Sequence, residues 1–134
     1  MMRNRLTKSG MSAGTWLLLA LSPFPLKAHH ANAAYDRDQS ISVSGTVIRW
    51  QFINPHSGIW IAVVDEEGSE TEWSGEFQGT LDLYRHFSWN KDTFAAGDHV
   101  TLTGYPARNG SSTMSVRIVG FEDGDEVDVR SAPD

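Results

Sequence analysis

Alternation with a period of two runs through most of this chain and restricts those stretches to strands with one buried face. Ile41, Val43, Gly45, Val47 and then Arg49 fall on one side of the segment 39–53, with Ser42, Ser44, Thr46 and Ile48 opposite. Gly45 in mid-run predicts a bend or bulge in a long first strand. Asn54-Pro55-His56-Ser57-Gly58 reads as a loop, because proline biases the residue before it toward extended geometry and glycine frees the backbone. From Ile59 to Asp65 both alternating faces are apolar, which predicts a central second strand.

Glu66-Glu67-Gly68-Ser69 is a hairpin turn, and a third strand returns over Glu70–Phe77. Thr80 is placed to cap a short helix through Phe87 that buries Leu81 and Tyr84, with Leu83 or Phe87 beside them. Ala95-Ala96-Gly97-Asp98 turns into a fourth strand carrying Val100, Leu102 and Gly104. Asn109-Gly110 is a hairpin signal, and Thr113–Phe121 forms a fifth strand with Met114, Val116, Ile118 and Gly120 or their neighbours inward. Three strands, a helix and two strands is the element order of a five-stranded barrel of the oligonucleotide/oligosaccharide-binding (OB) type. A three-strand meander followed by an unrelated hairpin produces the same order. Residues 124–134 are acidic and read as a flexible tail.

Ahead of the β domain, residues 1–28 carry the pattern of a secretory signal. Arg3, Arg5 and Lys8 form a positive start, and the apolar run Thr15–Leu21 is interrupted soon after by Pro23 and Pro25. It is too short for the roughly 20 apolar residues of a membrane span, so a cleaved signal is expected rather than an anchor. Cleavage is expected after Ala28, with Ala31-Asn32-Ala33 as the alternative. The protein is then periplasmic or secreted. There is no cysteine for lipid attachment or a disulfide, so burial of aromatic and aliphatic side chains must supply the stability. Cleavage would remove four of the 11 basic residues and none of the 17 acids, leaving a formal net charge of −10 on residues 29–134. Such a surface repels phosphate backbones and argues against nucleic acid as a partner.

The pieces His29-His30, Ala34-Tyr35-Asp36, Ser44-Gly45-Thr46-Val47, Trp50, Asn54-Pro55-His56, Trp60, Trp73, Glu76, Gly97-Asp98 and Pro106 together resemble a family of small exported bacterial proteins. That family is described only as a domain of unknown function, so the resemblance implies export and a β domain and supplies no activity. It spans roughly His29 to Phe121. Ala31-Asn32 stand where such proteins usually carry Ser-Phe after the two histidines.

Two sets of residues are candidates for chemistry. A small ligand or a periplasmic partner protein would meet Trp50, Asn54, His56 and Trp89, because the loop between the first two strands borders the ligand face of OB domains and indole rings offer stacking surface. Trp60 and Trp73 read rather as core. A transition metal, copper above all, would be held by His29, His30 and His56: a mature chain starting at His29 offers its amine and imidazole as a histidine brace, and nitrogen ligands suit Cu(II). A zinc site adding Asp36 or Glu76 is the variant of this idea. The competing reading is a loose terminus and a solvated loop histidine. His86 and His99 read as surface residues.

Catalysis has little support. Glu72 and Glu76, at an expected spacing of roughly 7 Å along one strand face, suit acid/base work but read as solvated on so acidic a surface. No cysteine nucleophile, G-x-S-x-G, H-E-x-x-H or phosphate-binding glycine loop is present. Ser57 beside His56 is too close in sequence for a working pair. The expected function is non-catalytic binding.

Overall fold

The computed structural model describes residues 34–130; residues 1–28, read above as a signal, and His29 and His30 lie outside them. The strands are β1 (Ile41–Gln51), β2 (Gly58–Val64), β3 (Glu70–Glu76), β4 (His99–Pro106), β5 (Thr113–Phe121) and β6 (Glu126–Asp128), with one helix, α1 (Thr80–Phe87), between β3 and β4. The sheet runs β3-β2-β1-β4-β5-β6, and a parallel pairing of β3 with β5 closes it into a five-stranded OB-like barrel. Closure leaves β2, as its two apolar faces predicted, hydrogen-bonded on both sides. No helix among the described residues is long and apolar enough to cross a membrane.

Inward residues of the strands form the core: Val47, Ile59, Ile61, Leu102, Met114 and Val116 are all buried. At one region of this core the aromatic side chains gather. Trp89 makes edge contacts with Trp50, Phe77 and Phe94, and Phe94 stacks on Phe121 at 5.8 Å. Edge-to-face pairs at these distances each add about 0.5–1.5 kcal/mol beyond area burial. A disulfide-free domain of this size is stabilised by that packing.

Several expectations are corrected. The bulge in β1 falls between Val47 and Arg49, with Ile48 as the extra residue, and not at Gly45. It reverses the phase of the strand, so Arg49 faces out and Trp50 turns onto the core. Gly45 is required for a different reason: a Cβ there would stand 2.3 Å from the Ala62 carbonyl oxygen. A second register shift, Thr103↔Ile118 to Gly104↔Val116, makes Arg117 the extra residue of β5 and brings Val119 rather than Ile118 into the core.

Helix α1 occupies the expected residues but buries a different side. Leu83 is fully buried, whereas Leu81 and Tyr84 are 54% and 61% exposed. Eight residues make barely two turns, so the helix can send only one narrow stripe inward. Its N-cap is Gly79, not Thr80. At the other end Ser88 adopts a left-handed backbone (φ 57°), and its N–H and that of Trp89 donate to Tyr84 and Leu83 carbonyls. That turn drops Trp89 into the core. The acidic stretch after Gly124, read as loose, begins instead with β6, paired to β5, and buries Val129. Its charge hid a period-two alternation, Glu126-Val127-Asp128-Val129, behind an Asp123-Gly124 turn.

Candidate functional site

The β1–β2 loop and the end of β3 meet the segment that precedes β1. Ser57 extends the β2–β3 pairing, its N–H donating to the Gln78 carbonyl at 3.0 Å and its carbonyl accepting the Phe77 N–H at 2.9 Å, which sets His56 beside Glu76. The preceding segment is tied to the end of β4: Asp36 N–H donates to the Pro106 carbonyl at 2.8 Å, and Arg108 N–H to that of Ala34 at 2.9 Å. Tyr35 is thereby aimed at the same carboxylate. Glu76 receives His56 Nδ1 at 2.8 Å on one oxygen and the Tyr35 hydroxyl at 3.1 Å on the other.

Three recesses share these walls. A mainly apolar one of about 180 Å³ lies between Ile53, Gly58, Trp60 and Gly75 and reaches Tyr35, His56 and Glu76. A polar one of about 120 Å³ begins at the same three residues and runs to Gln78, Tyr105, Ser115 and Arg130. A wider one, about 390 Å³, continues from Arg37, Tyr105 and Arg130 to Arg117. In the polar recess the Gln78 amide nitrogen donates to the Val129 carbonyl, while Gln78 Oε1 is buried without a partner. A fourth recess, about 460 Å³, is lined by Asp98, His99, Glu122 and Asp123 around Phe94, and shares no residue with the other three.

Burial, reinforced by the Glu76 charge, pushes the Tyr35 hydroxyl up to about 12, with Arg130 pulling the other way. The neutral phenol is therefore the form the fold favours. Its stabilisation is complete below the unfolded value of about 10 and is lost as pH rises toward about 12. Absorbance titration at 295 nm should find one tyrosine ionising near 12, and Tyr35→Phe should remove that step and flatten stability across the interval. An identical alkaline profile in the variant would mean that Tyr35 does not face Glu76.

Of the residues expected at a ligand site, only His56 lines it. Its side chain is 46% exposed. Asn54 instead holds α1: its Oδ1 accepts the Thr80 backbone N–H at 3.0 Å and the Thr80 hydroxyl at 3.1 Å, a cap supplied from a distant loop and worth about 1 kcal/mol. Trp89, 6% exposed, is core and corrects the expectation of an open indole. Trp50 packs against the same cluster and donates Nε1–H to the Asn90 carbonyl. The wall is Trp60, whose ring also carries the Arg49 guanidinium 3.8 Å above it. The bulge explains the exchange, since it turns Trp50 inward and leaves Arg49 paired with Trp60 outside.

His29 and His30 lie outside the described residues, so the metal set is represented only by His56. Among the described residues no group of three or more His, Asp or Glu side chains gathers as a metal set would. Asp36, the alternative zinc ligand, accepts from Gln39 and Asp38 and pairs with Arg108 at 3.5 Å. Glu72 and Glu76 are four residues apart on β3, about 13 Å at strand rise rather than the expected ~7 Å, which is too far for a cooperating pair. Ser57 Oγ donates to the Ile53 carbonyl and is buried. Tyr35, Gln78 and the three arginines were missed by sequence reasoning; Tyr35 had a signal, its place in the segment that follows the double histidine.

The profile of a family described as "Family of unknown function (DUF6152)" matches residues 17–116. No curated protein matches the chain.

Proposed function

The chain belongs to the family of unknown function DUF6152, and from its joined recesses we propose that it is an exported, non-catalytic module that binds a small ligand at Tyr35, His56, Glu76 and Trp60. The observation that carries this reading is Gln78 Oε1, the one buried side-chain oxygen or nitrogen without a partner among the described residues, which lies in the wall of a recess. A buried acceptor left unpaired costs about 1–3 kcal/mol, and a ligand or water that donates to it recovers that loss. The recess volumes limit the occupant. A cavity of about 150 Å³ holds benzene, so the apolar recess of about 180 Å³ takes one six-membered ring and not an oligomer.

The test is a screen of single-ring polar compounds by ligand-observed NMR against the purified protein. Hits are expected to compete for one site, and His56→Ala is expected to weaken them at least tenfold, about 1.4 kcal/mol. Hits that ignore His56→Ala, or an absence of binders at millimolar concentration, would reject the module.

His56 also supports a second reading. With Nδ1 held 2.8 Å from the Glu76 carboxylate, the ring keeps Nε2 as the candidate ligand atom, the orientation that carboxylates impose on metal-bound histidines. If the exported chain starts at His29, copper would take that nitrogen with the terminal amine and imidazole. Intact mass of the exported protein and a copper titration of His56→Ala separate the two: a start at Ala34, or an unchanged copper spectrum in the variant, removes the copper reading.

A further inference from the structure

Five large apolar side chains stand exposed among the described residues, and three of them, Ile53, Leu81 and Tyr84, belong to α1 and the loop bound to its first turn. Asn54 caps Thr80 across that junction, and a Cβ on Gly79 would stand 3.0 Å from the Pro55 carbonyl oxygen, so loop and helix present one continuous surface. We propose that a second copy of the chain docks on this surface. The two α1 helices lie antiparallel about a two-fold axis, Leu81 against Tyr84 of the partner subunit and Asp82 against Arg85 of the partner subunit. None of Tyr35, His56, Glu76 or Trp60 belongs to this face.

Leu83, the buried residue of α1, fixes which side of the helix faces the barrel. With 3.6 residues per turn, Leu81 and Arg85 then point away from the barrel, and Tyr84 and Asp82 flank them on opposite sides. All four are exposed. Leucine and tyrosine on that outer face bury nothing within a single chain. Asp82 lies in the first turn and Arg85 in the last, and no ion pair among the described residues engages either. The helix dipole favours each sign at its own end. That accounts for the charges but not for the apolar pair set among them.

In a two-fold contact the same patch faces itself, so each pairing must recur in reverse. Leu81 with Tyr84 and Asp82 with Arg85 are both three positions apart, and the midpoints of the two pairs differ by one residue, about 1.5 Å of helix rise. One axis through the middle of α1 therefore sets Leu81 on the partner's Tyr84 and Asp82 on the partner's Arg85, each twice. The two charges cancel, whereas a helix that lies on a membrane carries an excess of Lys and Arg on its polar face. A chain of formal net charge −6 is also repelled by anionic lipid. The contact is small: eight helical residues span about 12 Å. With one loop they offer less than the roughly 800 Å² per partner of a standard interface, so the dimer is weak, with a Kd of about 0.1 mM.

Sedimentation velocity of the purified full exported protein, from about 10 µM to about 1 mM, is expected to pass from monomer toward dimer. Tyr84→Ser should weaken the association at least tenfold. Asp82→Lys and Arg85→Glu each set like charges face to face, and each alone should weaken it by a similar factor. Mixed together, the two charge variants should associate to within about threefold of the wild type, because the mixed pair again sets a cation against a carboxylate at both contacts. Thermal unfolding checks each variant, and Tyr84→Ser, at an exposed side chain, reports on the same face if a charge variant loses its fold. A wild-type protein that stays monomeric to about 1 mM overturns the inference. So does a dimer that survives Tyr84→Ser and both charge variants, or a pair of charge variants that fails to recover on mixing. Binding to vesicles of phosphatidylcholine and phosphatidylglycerol without self-association would put a membrane in place of the second copy, and it also overturns the inference.

Discussion

Trp89→Ala should lower the unfolding free energy by about 3–5 kcal/mol, the range for removing a buried aromatic side chain from a packed core. Trp89 is 6% exposed and makes ring contacts with Trp50, Phe77, Phe87, Phe94 and Phe121. Truncation therefore leaves a void bounded by rigid rings that cannot collapse into it. Since whole domains are stable by about 5–15 kcal/mol, the loss is a large fraction of the total. At roughly 4–8 °C per kcal/mol for a domain of this size, the melting temperature should fall by about 15 °C or more. Urea melts of the variant beside Trp89→Phe, which keeps a ring in place, would measure it. A drop under about 1 kcal/mol would put Trp89 back on an open surface, where its loss would affect a ligand and not the fold.

Gly104→Ala is expected to be comparably damaging for the opposite reason, too much matter instead of too little. A Cβ on Gly104 would stand 2.2 Å from the Ser115 carbonyl oxygen, 2.9 Å from its carbon and 3.0 Å from Val116 Cα. These are backbone atoms of the paired strand, so no rotamer change relieves the contact and β4 must move away from β5. Overpacking costs about 1–3 kcal/mol, and a clash with main chain belongs at the upper end. The strain falls where β5 also pairs with β3 to close the barrel and where Ser115 receives Arg130. Gly104→Ala should therefore broaden the Arg130 side-chain signals as well as lower the melting temperature. Gly120→Ala, on β5, where an added carbon meets nothing nearer than 3.5 Å, is the control. Equal effects of the two substitutions would show that the close approach of β4 to β5 is not what makes Gly104 necessary.

Much of the barrel was legible because alternation is a local signal. Thr113–Phe121 and Thr80–Phe87 have the boundaries expected of them, and Asn109-Gly110 turns between β4 and β5. The misreadings cluster where one residue is inserted. Ile48 and Arg117 each shift the phase of a strand, and since side chains alternate with a period of two, a single insertion sends every later residue to the other face. That slip turns Trp50, expected at the groove, onto the core, and seats Val119, a neighbour the reading of β5 left open, in place of Ile118. The tail was misread because charge masked the two valines that seat it.

The candidate site was less legible than the fold. His56 was singled out by its loop, and Glu76 as an alternative zinc ligand and as one of two acids on a strand face. The contact between them depends on the pairing of β2 with β3, and the contact with Tyr35 on a backbone tie between residues 34–36 and the end of β4. Arg37, Arg117 and Arg130 are spread over more than ninety positions, and no spacing rule joins them.

Residue order alone was enough for a small β domain without disulfides, its strand limits and the position of its helix, because those follow from polar–apolar rhythm and turn chemistry within a few neighbours. The three-dimensional closure settled which face each tryptophan takes and which distant side chains become neighbours. Such contacts are set by register, bulges and the β3–β5 seam, and these are properties of strand pairs rather than of any one segment.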